Sequence, residues 1–388
     1  MRIVSSIWGF FFKPWSSADE SQSNENRAKS DGDTEKLTVD GIRLSRANIQ
    51  WSVANGTELS SILHSVVTNV VGRTINVQSR VKKSADANYK QINEDIEGVL
   101  EVAKEAENFD VKGKLHFNAF FRATIRFYFQ DGGVIIRKHI NKNWWLPIRF
   151  ELISVSMIDI DNNIPMDGTV NGFKTDKYGK LTHIKLFDNV DRKKSSLVSM
   201  DELIYFSQTW ISPSQYTAVS LLQPVYTSAD KLSAYADSEV ESAKNRANAG
   251  VYWSTKLYDP IMKAFSSFRS SAEATSEAQA SSKAIDKISK TGIKKKGTTA
   301  IPFEDKIYTV DHKSDTVYDS LVNNSKKSIA SAVGFGQQVV FRDVEKTSYS
   351  SAKYNNGLDN TAFSIIFDDL KEAVLIPVLK YHMQLKAI

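Results

Sequence analysis

Six histidines, His64, His116, His139, His183, His312 and His382, are the natural candidates for acid–base or metal chemistry. They form no His-x-x-x-His pair, so the two-histidine helix face of a zinc hydrolase is absent. Each reads as an ordinary surface or core histidine. There is no cysteine, which removes disulfides, thiolate metal sites and cysteine nucleophiles and leaves the redox compartment open. No serine sits in a Gly-x-Ser-x-Gly turn. No glycine-rich loop ends in Gly-Lys-Ser/Thr, which counts against an NTPase motor. Asp159-Ile160-Asp161-Asn162-Asn163 starts like a calcium loop. Ile164 then stands where that loop needs glycine, and Val170 where it needs a chelating glutamate, so the stretch reads as a polar turn. Neither an enzyme nor a cofactor is expected. Lys294-Lys295-Lys296 concentrates positive charge. It is either a solvated loop or a contact to phosphates or an acidic partner. Trp144-Trp145 reads as a core or interface anchor rather than a base-stacking platform.

The 388 residues exceed what one core usually spans, so two or more lobes are expected. The net charge of +5 is a small excess of 50 basic over 45 acidic residues. Any nucleic-acid surface must therefore be local. No apolar run is long enough to span a membrane. The start, Ile3 to Phe12, is apolar and contains Trp8, Phe10, Phe11 and Phe12. It lacks the basic start and small-residue cleavage site of a signal peptide and reads as a short docking peptide. Ser16 to Lys36 has almost nothing to bury and reads as a disordered linker, with order beginning between Leu37 and Leu44.

Leu59, Ile62, Leu63, Val66, Val67 and Val70 recur at helical spacing, and Gly72 stops that helix. Thr74 to Gln78 alternates like a short strand. Ser84 to Glu107 is helical again, with Tyr89, Ile92, Ile96, Leu100 and Ala103 on one side. Leu115 to Phe129 is aromatic-rich and predicts a buried helix, turned by Asp131-Gly132-Gly133 into Val134-Ile135-Ile136. A β-rich region follows. It holds strand material between Leu146 and Ile160, a hairpin about Tyr178-Gly179 and a strand at Leu203 to Phe206. Beyond Pro224 the residues Val225, Ala229, Leu232, Ala236, Val240, Ala243 and Ala247 form a narrow stripe of mostly small side chains, a packing seam. Ser266 to Gly297 reads as an exposed, partly mobile insertion, and Ile301 to Val310 as a strand. Ser314 to Val333 is a helix ended by Gly334 and Gly336. Gln337 to Tyr349 reads as a polar loop. A last long helix starts near Ser350, with Phe363, Ile366, Leu370 and Val374 at core spacing and Pro377 kinking it or ending its regular part.

Five segments in order resemble the lambda-like portal proteins of tailed bacteriophages. Asn69-Val70-Val71-Gly72, followed by Ile75 and Gln78, is similar to that family's "NVVG" segment. Pro213-Ser214-Gln215 with Val219-Ser220-Leu221-Leu222-Gln223-Pro224-Val225 resembles "PGQ-x-RG-VS-x-L-x-PV". Tyr235 with Glu239 to Lys244 resembles the "ELEAAK" helix. Ile329 to Gly334 resembles "IAAGLG", and Thr347 to Lys353 resembles "TNYSSAR". Ser214 departs from the family glycine and Thr217-Ala218 from Arg-Gly. Asp343-Val344-Glu345-Lys346 is more charged than the usual Gly/Ser-rich loop.

The resemblance implies an α+β portal fold and a ring, usually of twelve subunits, at one capsid vertex. Double-stranded DNA is packaged and ejected through its axis. The mapping gives an N-terminal arm over 1–40, an α/β wing over 41–222 and stem helices at 223–248 and 314–333. A clip follows at 249–313, a tunnel loop at 334–349, and a long wing helix over 350–388 with little or no crown. A conduit for a charged rod needs weak, sequence-independent contacts. On the mapping, Gln337, Gln338, Arg342 and Lys346 face DNA, with Asp343 and Glu345 keeping the loop near neutral. Lys244, Arg246, Lys326 and Lys327 are either channel residues or intersubunit ion pairs. Lys294, Lys295 and Lys296 lie in the clip and meet a partner there. The implied partners are further copies of the chain, DNA bound without sequence preference, the terminase large subunit, neck or adaptor proteins, and the major capsid or scaffolding protein. No membrane is implied. The implied location is the virion, after assembly in the host cytoplasm. Another head–tail connector or a minor head structural protein is the alternative.

Overall fold

The computed structural model describes residues 34–80, 88–161, 168–188, 193–208, 215–248, 317–342 and 348–384. The chain divides into two compact units, Met1–Ser233 with Val322–Ile388, and Ala234–Leu321.

The first unit is built on helices and two small antiparallel sheets. Helix α1 spans Thr34–Asn55, beginning inside the stretch expected to be an arm. Ile42, Ile49 and Val53, seven and four residues apart, are buried along it and give it a reason to continue. Helix α2, Thr57–Val70, buries Leu59, Ile62, Leu63, Val66 and Val70, as the spacing predicts. Gly72 then takes φ +66. The strand expected at Thr74 to Gln78 is not formed. Its backbone is held by a side chain instead, Ile75 N–H donating to Asn118 Oδ1 at 2.8 Å, so alternation there reflects one anchored residue rather than a ladder.

Helix α3, Tyr89–Ala103, stops at Lys104, and a single turn, α4, follows at Ala106–Phe109. Helix α5, Phe117–Asp131, is the buried aromatic helix. Phe109 lies edge-on to Phe117 and Phe120 at centroid distances of 5.3 and 5.0 Å, the arrangement ring quadrupoles favour. Gly132, at φ +83, caps α5 and turns the chain into strand β1, Gly133–Ile140.

Strand β1 pairs antiparallel with β2, Ile148–Ser154, and with β7, Leu203–Ser207. Val134 and Ile136 enter the main core and Ile135 the second core, so β1 is buried on both faces. The second sheet runs β3 (Thr169–Val170), β4 (Phe173–Thr175), β5 (Leu181–Phe187) and β6 (Ser195–Ser199) in spatial order. Its β4–β5 hairpin turns at the expected place, with Gly179 at φ +80 and Asp176 accepting from the N–H groups of Tyr178 and Lys180.

Helix α6 covers Gln223–Asn248 and helix α7 Val317–Ala332. After Gly334 comes a short helix, α8, at Gln337–Phe341. Helix α9, Tyr349–Leu370, passes through a π turn, Lys371–Leu375, into α10, Ile376–Gln384. In the π turn Ile376 N–H donates to Lys371 O. Widening the ladder just before Pro377 accommodates its missing donor and ring.

Helix α10 buries His382 against Phe109 and Phe150, with ring centroids at 5.8 and 5.2 Å. Burial pushes this imidazole down from 6.5 to about 4. The unfolded chain binds a proton below pH 6.5 that the folded chain refuses until about pH 4, so stability falls as pH drops through that window. The loss reaches about 3 kcal/mol. Urea denaturation at pH 7 and pH 4.5 should show it, and His382→Leu should remove it. Glu151 acts in the same sense at lower pH. Burial raises its pKa, but bonds from His139 at 2.9 Å and Lys112 at 3.2 Å hold it below the usual carboxylate range. Its stabilising contribution is present above the ordinary carboxylate pKa and is lost progressively as the pH falls from there through the lowered value.

In the second unit the described residues are the distal part of α6 and the first turn of α7. The rings of Tyr235 and Tyr318 lie 5.4 Å apart. Val240 and Leu321 are exposed.

Candidate functional site

The segment after α7 is fixed by backbone capping and by a buried carboxylate. Gly334, at φ +84, lets its own N–H reach Ser331 O and the Phe335 N–H reach Ala330 O, both at 3.0 Å. That pattern satisfies the last carbonyls of the helix. Phe335 is buried and stacks on Phe363 of α9 at 4.7 Å. Gly336 N–H donates to Asp359 Oδ1 at 2.7 Å. A Cβ on Gly336 would sit 2.8 Å from Asp359 Oδ2, so glycine is needed for the approach.

The expected polar loop at 337–349 is thus corrected over its first part. Residues 337–341 form a helical turn, Val340 is buried, and Val339 and Phe341 pack on the main core. Ser65 Oγ donates to Val339 O at 2.8 Å and ties the turn to α2. The apolar triplet Val339-Val340-Phe341 carries the signal, and the charged residues after it mask it. Arg342 closes the turn at φ +54 and is exposed. A non-glycine residue in this left-handed conformation costs about 1 kcal/mol. Arg342→Gly should therefore be about 1 kcal/mol more stable than Arg342→Ala by chemical denaturation, although both remove the same charge. Equal stabilities would contradict the cap geometry.

A second network fixes the entry to α6. Gln50 Nε2 donates to Asp131 Oδ1 at 3.0 Å, and Arg46 donates to Ala218 O at 3.2 Å. Ser45 and Gln223 are hydrogen-bonded side chain to side chain. Burial lowers the Arg46 pKa, and the nearby Asp131 carboxylate opposes that shift. Ser220 Oγ and Leu221 N–H both donate to Phe129 O at 3.1 Å. Leu222 and Val225 enter the main core. The stretch 215–225 is thereby laid across the end of α5, where the backbone of Val219 passes directly over Gly132.

A family model described as "Phage portal protein, lambda family" matches residues 20–363. The chain belongs to the lambda family of phage portal proteins. The match takes in both sheets, α6 and α7, the residues between those helices, and the 334–342 turn. Curated proteins give no significant match. The family is one of structural virion proteins rather than enzymes. No helix among the described residues is long and apolar enough to cross a membrane.

In this portal chain the candidate residues fall into three groups. Gln337 and Gln338 are half-buried on α8, and each has polar partners. Lys326 of α7 reaches the same place, its Nζ 5.8 Å from the centre of the Phe341 ring. Lys327 of α7 and Arg342 at the end of α8 are exposed. Lys244 belongs to the second group. It lies in the second unit, where its Nζ is 3.9 Å from Glu241 and both side chains are exposed, a pair that contributes little. Arg246 is on the same helix. Lys294, Lys295, Lys296 and Lys346 lie outside the described residues.

Residues that position the site but carry no sequence signal are Asp359, Ser65 and the Phe335–Phe363 pair. Asp359 precedes Phe363 by four and so shares its buried face, which is the one clue available. The calcium-like start is used structurally. Asp159 accepts from Ser195 Oγ at 2.7 Å and Asp161 pairs with Arg43 at 2.6 Å. No group of three possible metal ligands occurs among the described residues.

Proposed function

We propose that copies of this chain close into a ring, a dodecamer, at one vertex of a phage capsid, and that double-stranded DNA is packaged and later ejected through its axis. The observation that carries this reading is the family match over residues 20–363. In the proposed ring α6 and α7 are stem helices around the bore, 249–313 is the clip, and the 334–349 segment is the tunnel loop. The clip, with Lys294, Lys295 and Lys296, docks the terminase large subunit and then neck or tail proteins. The outer lobe meets the major capsid or scaffolding protein. Assembly takes place in the host cytoplasm.

The exposed apolar residues support a ring. Tyr354, Leu358 and Ile365 of α9 are 70%, 56% and 58% exposed. At 100° per residue they lie within about 40° of one another on the side opposite Phe363 and Leu370. Leu44 and Trp51, seven apart on α1, form a second such stripe. Stripes of this kind mark interaction surfaces. We assign the α9 stripe to the contact between neighbouring subunits.

The described channel candidates Gln337, Gln338 and Arg342 face the bore with Lys346 in this reading. They offer hydrogen bonds and few fixed charges, which suits sliding rather than holding, because each phosphate neutralised adds to affinity. Arg342→Ala with Lys346→Ala should leave ring assembly intact and alter DNA packaging or retention, read as DNA per assembled head. Heads that fill and retain DNA normally would contradict the channel assignment. The triple alanine variant of Lys294, Lys295 and Lys296 should weaken terminase docking or tail joining. Wild-type packaging and tail joining would remove that role.

A further inference from the structure

Helix α3 buries apolar side chains only at its C-terminal end, and its middle is tied to Ser79 by polar bonds through Asn93 and Glu97. Leu100 and Ala103 are buried, whereas Ile92 is 38% exposed. The uncovered apolar side of α3 forms one wall of a cavity of about 310 Å³, lined by Ile92, Ile96, Val99, Leu100, Leu146 and His382. An apolar cavity of about 150 Å³ accommodates a benzene ring, so this one admits about two aromatic rings.

The floor of the cavity holds an unusual group. His382 is 8% exposed, and neither ring nitrogen has a hydrogen-bond partner among the described residues. Burial keeps the ring neutral at pH 7, so it carries one N–H donor and one bare nitrogen acceptor, both closed off from solvent. Buried polar atoms are rarely left this way. The cavity's mostly apolar lining suits an occupant that is largely aromatic. Its rim is acidic: Glu94, Asp95, Glu97 and Glu101 are exposed along α3, and Asp95 borders the cavity itself.

One segment of the chain has the complementary chemistry. Ile3 to Phe12 contains Trp8, Phe10, Phe11 and Phe12, is flanked by Arg2 and Lys13, and has no acidic residue before Asp19. Residues 16–33 connect this segment to α1 and span up to about 60 Å when extended. We propose that the groove beside α3 is the docking site of the chain's own N-terminal segment, Ile3 to Phe12, whose aromatic rings fill the cavity while Arg2 and Lys13 meet the acidic rim.

The test places a photo-crosslinking benzoylphenylalanine at Ile92 in the full chain, an exposed position that tolerates it. Irradiation and mass spectrometry should join position 92 to a peptide from residues 1–15. Amides of residues 3–12 should exchange with deuterium at least tenfold more slowly in the parent than in Ile92→Glu. Ile92→Glu should leave the exchange of α5 unchanged, which separates lost docking from lost folding. Cross-links only to other regions or to another protein would overturn the proposal. So would exchange of residues 3–12 that is fast in the parent or unmoved by Ile92→Glu.

Discussion

Gly132→Ala is expected to be the most damaging single-atom change in the chain. Two costs combine. Gly132 has φ +83, where an L-residue costs about 1–2 kcal/mol. A Cβ there would also overlap the carbonyl carbon and oxygen of Val219 and lie 2.6 Å from its nitrogen. These are backbone atoms, so no rotamer change relieves the clash. Moving Val219 disturbs Ser220 and Leu221, which bond to Phe129 O, and Leu222, which is fully buried. The total should exceed about 4 kcal/mol, in the range reserved for disrupted cores. Gly113→Ala is the control. It has φ +64 and nothing within 4 Å of a Cβ, so it should cost only about 1 kcal/mol. Chemical denaturation of both variants checks the prediction, and equal losses would refute it.

The second large effect concerns assembly. Leu358→Glu with Ile365→Glu should leave the single chain folded, because both side chains are more than half exposed. It should abolish association. Burying each of these side chains in a contact is worth about 1.5–3 kcal/mol, so the pair amounts to about 3–6 kcal/mol per interface. That corresponds to a loss of about 10²–10⁴-fold in affinity, with carboxylates in an apolar contact adding to it. Mass photometry should show single chains where the parent shows a large species, with helical circular dichroism unchanged. A double variant that still assembles would remove the α9 stripe from the interface.

Local periodicity made part of this fold legible. The spacing from Leu59 to Val70 and the following Gly72 give α2 and its end, and the Tyr178-Gly179 turn gives the β4–β5 hairpin, because both depend on neighbours in sequence. Helix α1 was hidden because its inner face mixes Ile42, Ile49 and Val53 with buried Ser45, Arg46 and Ser52. The hydrogen-bond partners of Ser45 and Arg46 are far away in sequence, at Gln223 and Ala218. The candidate site was legible by resemblance more than by physics. The family segments mark Gly334 and the residues after it. The Asp359–Gly336 bond and the Phe335–Phe363 stack, which fix their course, join positions with no shared pattern. The His382 cavity is beyond sequence reading altogether, since α3, Leu146 and α10 meet only in the folded chain.

The proposed role of the chain depends on its closing into a ring. Cryo-electron microscopy of the purified full-length chain, with class averages down the symmetry axis, tests it directly. The predicted result is a closed ring of about twelve chains with an open centre, bordered by α6, α7 and the 334–342 turn, and with the Leu358–Ile365 stripe between neighbours. A sample that remains single chains at micromolar concentration, or a ring whose bore is lined by other elements with residues 334–342 far from it, would contradict it.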